Sequence, residues 1–202
     1  MNSTQLDFFQ ELENIGAGNA TTALAEMLGR RVEMKIPRVE FCEFKKICDV
    51  VDGPGTLVAA TLISMVGDLQ GFILLVLPAA QAHHLAQLML GNDSGEDTDP
   101  ATWFDEMERS AIAETANILS GAYMTSISAL TGLTSVATVP ELVIDMAGAI
   151  MSVPAIAFGE FSDTVLFLET GFYESDRSFS GYFFLIPDVE SYNVLMSKMG
   201  IA

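Results

Sequence analysis

The sequence predicts a mixed α/β fold of the α+β type, with a mainly antiparallel central sheet and two long helices on one face. Two observations predict it. Apolar residues follow helix-like and strand-like spacings in the order α-β-β-β-α, and this order occurs twice along the 202 residues. In addition, one polar motif recurs in both halves at a constant offset of 103 residues. Because neither half could cover its own sheet, we expect one domain at residues 1–202, with a pseudo-two-fold axis between two repeats.

A polar, acidic and turn-rich stretch separates the two halves. It reads Gly-Asn-Asp-Ser-Gly-Glu-Asp-Thr-Asp-Pro at residues 91–100, a composition typical of a solvated loop. We therefore divide the domain into a first repeat at residues 1–90, an acidic linker at 91–103 and a second repeat at 104–202.

Local signals set the elements of the first half. Ser3 or Thr4 can cap the first helix, and Gly29 is a typical stop. Pro37 bends the strand that follows or places it at a sheet edge. Gly67-Asp68 is a hairpin signal. The predicted elements are a helix to about Leu28, a strand at 32–44, two hairpin strands at 56–66 and 70–77, and a helix from Pro78 through Leu90.

The second half follows the same plan with one addition. Gly132 ends its long helix, and Asp188 can cap its last one. The added element is a helix rich in small residues, which has no counterpart at 45–51. The predicted elements are a helix from about 104 to 131, a strand leading to Pro140, the small-residue helix from Asp145 to about Ile156, hairpin strands at 164–172 and 181–186, and a helix to Met199.

The recurring motif has the form D/S-x3-E-x2-N-x22-P, and a glycine follows each asparagine by one helical turn. The residues of the first copy are Asp7, Glu11, Asn14, Gly18 and Pro37. The residues of the second copy are Ser110, Glu114, Asn117, Gly121 and Pro140. A single E-x2-N pair is common on solvated helix faces. Two copies with the same glycine and the same proline offset indicate a shared function.

Helical geometry places each motif on one face. At about 100° per residue, positions 7, 11, 14 and 18 fall within roughly 80° of one another, and the apolar residues lie on the other side. The motif therefore faces solvent or a partner. A mid-helix glycine destabilises the folded helix by about 0.5–1 kcal/mol relative to alanine. The presence of Gly18 and Gly121 therefore indicates a function that compensates for this cost. We expect them to let another protein approach closely, although helix packing is the alternative.

These motifs resemble the CheC family of bacterial chemotaxis, within the CheC/CheX/FliY phosphatases. The segment N-I-G-A-G-N-A at residues 14–20 is similar to the family signature, and the likeness runs over essentially the whole chain. The resemblance implies a phosphatase that dephosphorylates the response regulator CheY. The repeat of the motif predicts that up to two regulators bind per chain. The resemblance also implies a second partner, the receptor deamidase CheD.

A carboxylate and an amide on an exposed helix can do little chemistry alone. They suffice if the partner supplies an aspartyl phosphate, a bound Mg²⁺ and a lysine, so the chain needs no cofactor of its own. An asparagine can orient the attacking water, and a glutamate can pair with the lysine. The resemblance implies the same roles: Glu11 and Glu114 dock the regulator, and Asn14 and Asn117 orient the water. Asp7 and Ser110 have supporting roles.

The resemblance also indicates where CheD docks. In the family the deamidase binds the small-residue helix after the second proline, here represented by Asp145, Met146 and Gly148. Small residues allow close backbone approach, and the carboxylate of Asp145 could take a cation from CheD. A plain buried helix is the alternative interpretation.

Charge and composition exclude several other functions. With 27 acidic and nine basic residues, the formal charge of −18 opposes binding to nucleic acid or to an anionic membrane surface. The sequence lacks a secretion signal and a bilayer-spanning stretch, and we expect a cytoplasmic protein with Cys42 and Cys48 as reduced, packed thiols.

No metal-ligand spacing is present in the sequence, and we expect His83 and His84 to lie exposed on a helix surface. The alternative function is a non-catalytic adaptor that sequesters CheD or a response regulator. Two intact motifs argue against such a degenerate relative.

Overall fold

The computed structural model describes residues 3–43, 51–92, 103–158, 164–174 and 177–198. Within these ranges the elements follow the predicted order except for one additional strand after Pro140. The elements are α1 (Ser3–Leu28), β1 (Glu33–Glu43), β2 (Leu57–Gly67), β3 (Gly71–Pro78), α2 (Ala79–Met89), α3 (Glu106–Thr131), β4 (Ser135–Ala137), β5 (Glu141–Met146), α4 (Ala147–Phe158), β6 (Thr164–Glu174), β7 (Arg177–Pro187) and α5 (Val189–Lys198).

In the described residues, seven strands form one sheet in the order β1-β6-β7-β3-β2-β4, and β5 also pairs with β2. The pairings are antiparallel. Each edge strand pairs with the hairpin of the other half: β1 lies beside β6, and β4 and β5 lie beside β2. The two hairpins meet at the centre through β3 and β7. The two halves therefore share one sheet, as the predicted fold requires.

The central strands are apolar on both faces because both faces are covered. On β3, Leu74 and Leu75 point to opposite sides, and each is buried. One face packs against α1, α2, α3 and α5, and the other packs against α4. The first cluster includes Phe9, Leu12, Ile63, Leu75, Leu85, Ile112, Leu119, Phe183 and Leu195. The second includes Val51, Val58, Leu74, Val76, Met151, Phe184 and Ile186. The two long helices thus lie on one face, as predicted.

The two halves match in further details. Helices α1 and α3 each contain 26 residues, and both of their ends differ by the 103-residue offset of the motif. Both motif prolines lie at irregularities of edge strands. The pairing register between β1 and β6 shifts around Pro37. At the other edge, three residues lie between Ala137 and Glu141, whereas only two residues of β2 lie between their pairing partners. A proline lacks the N–H that a regular ladder needs, so a bulge at a sheet edge suits it. The division into repeats at 1–90 and 104–202 stays a prediction.

Several predicted boundaries were wrong. Helix α1 already includes Ser3 and Thr4, so neither residue is its N-cap. Asp145 belongs to β5 because the backbone of 141–146 pairs with β2, and helix α4 begins only at Ala147. Strand β7 begins at Arg177, four residues before the predicted start, because its polar first residues still pair with β6. The predictions for residues 45–50 and most of the linker lie outside the described residues.

Candidate active site

Both copies of the motif lie on exposed faces of the two long helices. On α1, Asp7, Glu11, Asn14 and Gly18 are exposed; on α3, Ser110, Glu114, Asn117 and Gly121 are exposed. The residues between them turn inward and join the core, as Leu12 and Ala116 do with no exposed surface. The helical spacing therefore produces two polar stripes, one per helix, which we call the first and second motif stripes. Their side chains are free to meet a partner.

The glycines of the motif segment fall into two kinds. A Cβ atom placed on Gly18 or Gly121 would meet nothing within 4 Å, so internal packing does not require glycine at either position. A Cβ atom on Gly16 would lie 2.7 Å from the ring of Tyr123. Gly16 therefore lets α1 pack against α3, a role that the sequence analysis missed. Gly18 and Gly121 instead keep the surface beside each asparagine low.

The two motif helices are held together and against the sheet. Tyr123 is fully buried and stacks on Phe183 of β7 with ring centroids 4.2 Å apart. The Asn19 side chain on α1 donates a hydrogen bond of 3.2 Å to the hydroxyl of Ser126 on α3. These contacts make the helices one platform, on which both stripes have fixed positions.

Each stripe ends in the same local arrangement. The hydroxyl of Thr22 donates to the carbonyl of Gly18 at 2.9 Å, and that of Thr125 donates to the carbonyl of Gly121 at 2.8 Å. Such back-bonding is usual for a mid-helix threonine. The two stripes therefore share the same construction from their glutamate to their threonine.

The start of α3 is tightly capped. The carboxylate of Asp105 accepts a 2.9 Å hydrogen bond from the N–H of Glu108, and the Arg109 side chain donates to the carbonyl of Phe104 at 2.9 Å. Phe104 has a φ of 67°, which is uncommon for a bulky residue. The Glu108 carboxylate accepts a hydrogen bond from the Phe104 N–H and so helps to hold this backbone.

Glu108 is itself buried, with 3% of its surface exposed, in a cluster that we call the Glu108 cluster: His83, Gln87, Trp103, Phe104 and Glu108. Its carboxylate accepts a hydrogen bond from the side chain of Gln87. His83 Nδ1 lies 2.9 Å from Glu108 Oε1, within ion-pair distance when the ring is protonated but outside hydrogen-bond geometry. The cluster ties α2 to the first turn of α3.

The prediction that both histidines are exposed is wrong for His83. Only 7% of its surface is exposed, because Trp103 stacks on the ring with centroids 4.6 Å apart. His84 is half-buried. One signal of the cluster was present in the sequence: Asp105 and Glu108 have capping-box spacing at the start of a helix.

The residues predicted to bind CheD differ in their surroundings. Asp145 and Met146 are exposed, and the Asp145 carboxylate accepts a 2.7 Å hydrogen bond from the N–H of Met146. Gly148 is half-buried, and a Cβ atom there would lie 3.0 Å from the Pro54 side chain. Gly148 therefore packs against the turn before β2, and only the first two residues offer a surface to a partner.

Among the described residues, no group of three or more His, Cys, Asp or Glu side chains could hold a metal ion. Within the same parts of the chain, no helix is both long enough and apolar enough to cross a membrane.

Comparisons with known proteins bear on both halves. A model of the CheC-like family matches residues 5–40, and a model described as chemotaxis phosphatase CheX matches residues 59–158. Each matched range contains one complete copy of the motif. The chain is also 30% identical over 198 residues to the CheY-P phosphatase CheC of Bacillus subtilis, an alignment covering 97% of this chain and 94% of the relative. The chain belongs to the CheC family.

Solved structures show the same fold at lower identity. Thermotoga maritima FliY superposes with a TM-score of 0.78 and 23% identity over 99% of this chain and 98% of that chain. CheX of Borrelia burgdorferi, solved as a CheX–CheY–BeF3–Mg²⁺ complex, superposes with a TM-score of 0.53 and 18% identity over 86% and 96% of the two chains. The CheC-family fold thus accounts for the whole architecture described above.

Proposed function

We propose that this chain is a phosphatase that hydrolyses the aspartyl phosphate of the response regulator CheY. One observation carries the proposal: two Glu–Asn pairs are exposed on rigid, mutually packed helices, each beside a glycine that keeps the surface low. The Bacillus subtilis relative is a CheY-P phosphatase, and the Borrelia burgdorferi relative forms a complex with CheY. Both names support CheY as the partner.

The chemistry follows from what a carboxylate and an amide can do at an exposed site. The Asn14 or Asn117 carbonyl accepts a hydrogen bond from a water and places it in line with the bond to the departing aspartate oxygen. Its NH2 group donates to a phosphoryl oxygen. This is catalysis by positioning, which dominates phosphoryl transfer. The regulator supplies the aspartate, the Mg²⁺ and a lysine.

The glutamates have a different role. A carboxylate beside three phosphoryl oxygens is a poor base, because its negative charge repels theirs. Glu11 and Glu114 instead pair with the regulator's lysine in a charge-assisted contact that sets the docking register. Asp7 and Ser110, one turn earlier on the same stripes, support the helix or the adjacent glutamate.

Turnover separates this proposal from the adaptor alternative. The regulator is phosphorylated with acetyl phosphate, and the unreacted acetyl phosphate is removed. This chain is then added at about one-hundredth of the regulator concentration, and the release of phosphate is followed. We expect release far beyond the spontaneous rate, with many phosphates hydrolysed per chain. An adaptor would protect or retain at most a stoichiometric amount of phosphorylated regulator, and that result would contradict the proposal.

CheD is the second proposed partner, and it docks on the surface formed by Asp145 and Met146. The two residues end the exposed edge strand β5, and 48% of the Met146 surface is accessible. Gly148, two residues after Met146, packs against the turn at Pro54. An apolar side chain beside an exposed carboxylate fits a partner surface with a cation next to an apolar pocket.

Asp145→Lys should abolish detectable CheD binding in calorimetry, because it places a cation opposite the partner's cation. Turnover of the phosphorylated regulator should stay unchanged. Glu141→Lys is the matched control, since Glu141 is also exposed on β5 and the substitution makes the same change of charge. Equal CheD affinity for the Asp145→Lys and wild-type chains would refute this docking surface.

The cytoplasmic location stays a prediction.

A further inference from the structure

The second motif stripe begins with an exposed methionine. Met107 lies in the first turn of α3, and 61% of its surface is accessible, compared with 38% for Met27 on α1 and 45% for Val189 on α5. It precedes Ser110 by three residues and Glu114 by seven. Seven residues at about 100° each bring it within roughly 20° of Glu114 around the helix axis. Met107 therefore continues the polar stripe with an apolar side chain.

The exposure of Met107 does not come from a frayed helix end. Its neighbour Glu108 is buried and accepts hydrogen bonds from Gln87 and Phe104, and Asp105 caps the same turn. The backbone that carries Met107 is thus fixed by contacts on the inner side of the helix. The helix therefore directs the Met107 side chain outward, and this leaves apolar surface in water, which is unfavourable.

The first motif stripe has no such residue. The 103-residue offset places Thr4 at the matching position of α1. A flexible, polarisable thioether adapts to an apolar partner surface, whereas threonine is short and half polar. The two stripes share Glu, Asn, Gly and Thr but differ in whether an apolar anchor lies at their beginning.

We propose that Met107 is a docking residue for the phosphorylated response regulator and makes the second motif stripe the tighter of the two sites. This inference rests on the proposed function, and it assigns the two sites unequal affinity. The partner is specified by its chemistry: an apolar side chain on the regulator surface, two helical turns from the lysine that pairs with Glu114. Continuity with the Ser110–Glu114–Asn117 face selects this partner over a second copy of the chain. Methionine is enriched in protein–protein interfaces, so its exposure beside the motif is consistent with a contact to a partner protein.

The test uses full-length chains with one working site. In a chain carrying Asn14→Ala, only the second stripe turns over, and there Met107→Ala should raise KM for the phosphorylated regulator about 10-fold with kcat little changed. Met107→Gln should behave like Met107→Ala, and Met107→Leu should restore most of the affinity. In a chain carrying Asn117→Ala, where only the first stripe works, Met107→Ala should change neither constant.

The control is Met27→Ala, which also shortens an exposed methionine. Met27 is 38% exposed and lies about 160° from Glu11 around α1, away from the motif stripe, so its replacement should leave KM unchanged. If the chain that carries both Asn14→Ala and Met107→Ala turns over with an unaltered KM, this inference is wrong, but the proposed function is not affected. A lost dimer on size-exclusion chromatography with unaltered KM would also overturn it, in favour of self-association. Absence of turnover in the unsubstituted chain would overturn both.

Discussion

Replacing Asn14 and Asn117 together by alanine should lower kcat for CheY-P hydrolysis by about 10²–10³-fold, the cost of losing a positioned polar group at a transition state. Either substitution alone should leave the activity of the other stripe. The two sites lie on different helices and share no motif residue, so each should work without the other, and the rate of the chain should be the sum of the two site rates. Phosphate release at saturating regulator measures kcat for the three variants.

The matching glutamates supply the control for this result. Glu11→Ala in a chain carrying Asn117→Ala should raise KM, because the lysine contact that docks the regulator is lost, while kcat falls less than it does with Asn14→Ala. Gln10→Ala, an exposed neighbour outside the stripe, should change neither constant. If one asparagine substitution alone removes all turnover from a chain that circular dichroism shows to be folded, the two-site interpretation is wrong.

The features that the sequence predicted well are those set by local periodicity. Spacings of three and four residues fix which side of a helix carries Asn14 or Asn117, whatever the helix packs against. The apolar residues opposite them then decide that this side faces outward. Pro37 could be placed at a bend or a sheet edge for a similarly local reason, since its missing N–H rules out a regular position in a central strand.

Features that depend on contacts between distant elements escaped prediction. Nothing near His83 in the chain indicates that Trp103, twenty residues later, will stack on it and bury it. Gly16 and Gly18 look equivalent in the segment at 14–20, and only the position of Tyr123 on the other helix separates a packing glycine from a surface one. The strand at Asp145 escaped for the same reason, because its pairing partner β2 lies more than 80 residues earlier.

The Glu108 cluster yields the largest expected effect on stability. Glu108→Ala should lower the free energy of unfolding by about 3–5 kcal/mol, because two donors lose a buried charged acceptor and each unsatisfied buried donor costs about 1–3 kcal/mol. The substitution leaves the Phe104 N–H and the Gln87 amide without their buried acceptor. It also removes the contact that holds Phe104 at a positive φ. Urea unfolding followed by circular dichroism measures the change.

Two further variants show whether the buried acceptor is responsible. Glu106→Ala removes an exposed carboxylate from the same helical turn, and its effect should stay within about 0.5 kcal/mol. Glu108→Gln keeps a hydrogen-bond acceptor of the same shape but loses the charge, so its loss of stability should fall between those of the two alanine variants. A Glu108→Ala chain as stable as Glu106→Ala would mean that helix packing alone fixes the first turn of α3. The second motif stripe would then keep its position without help from α2.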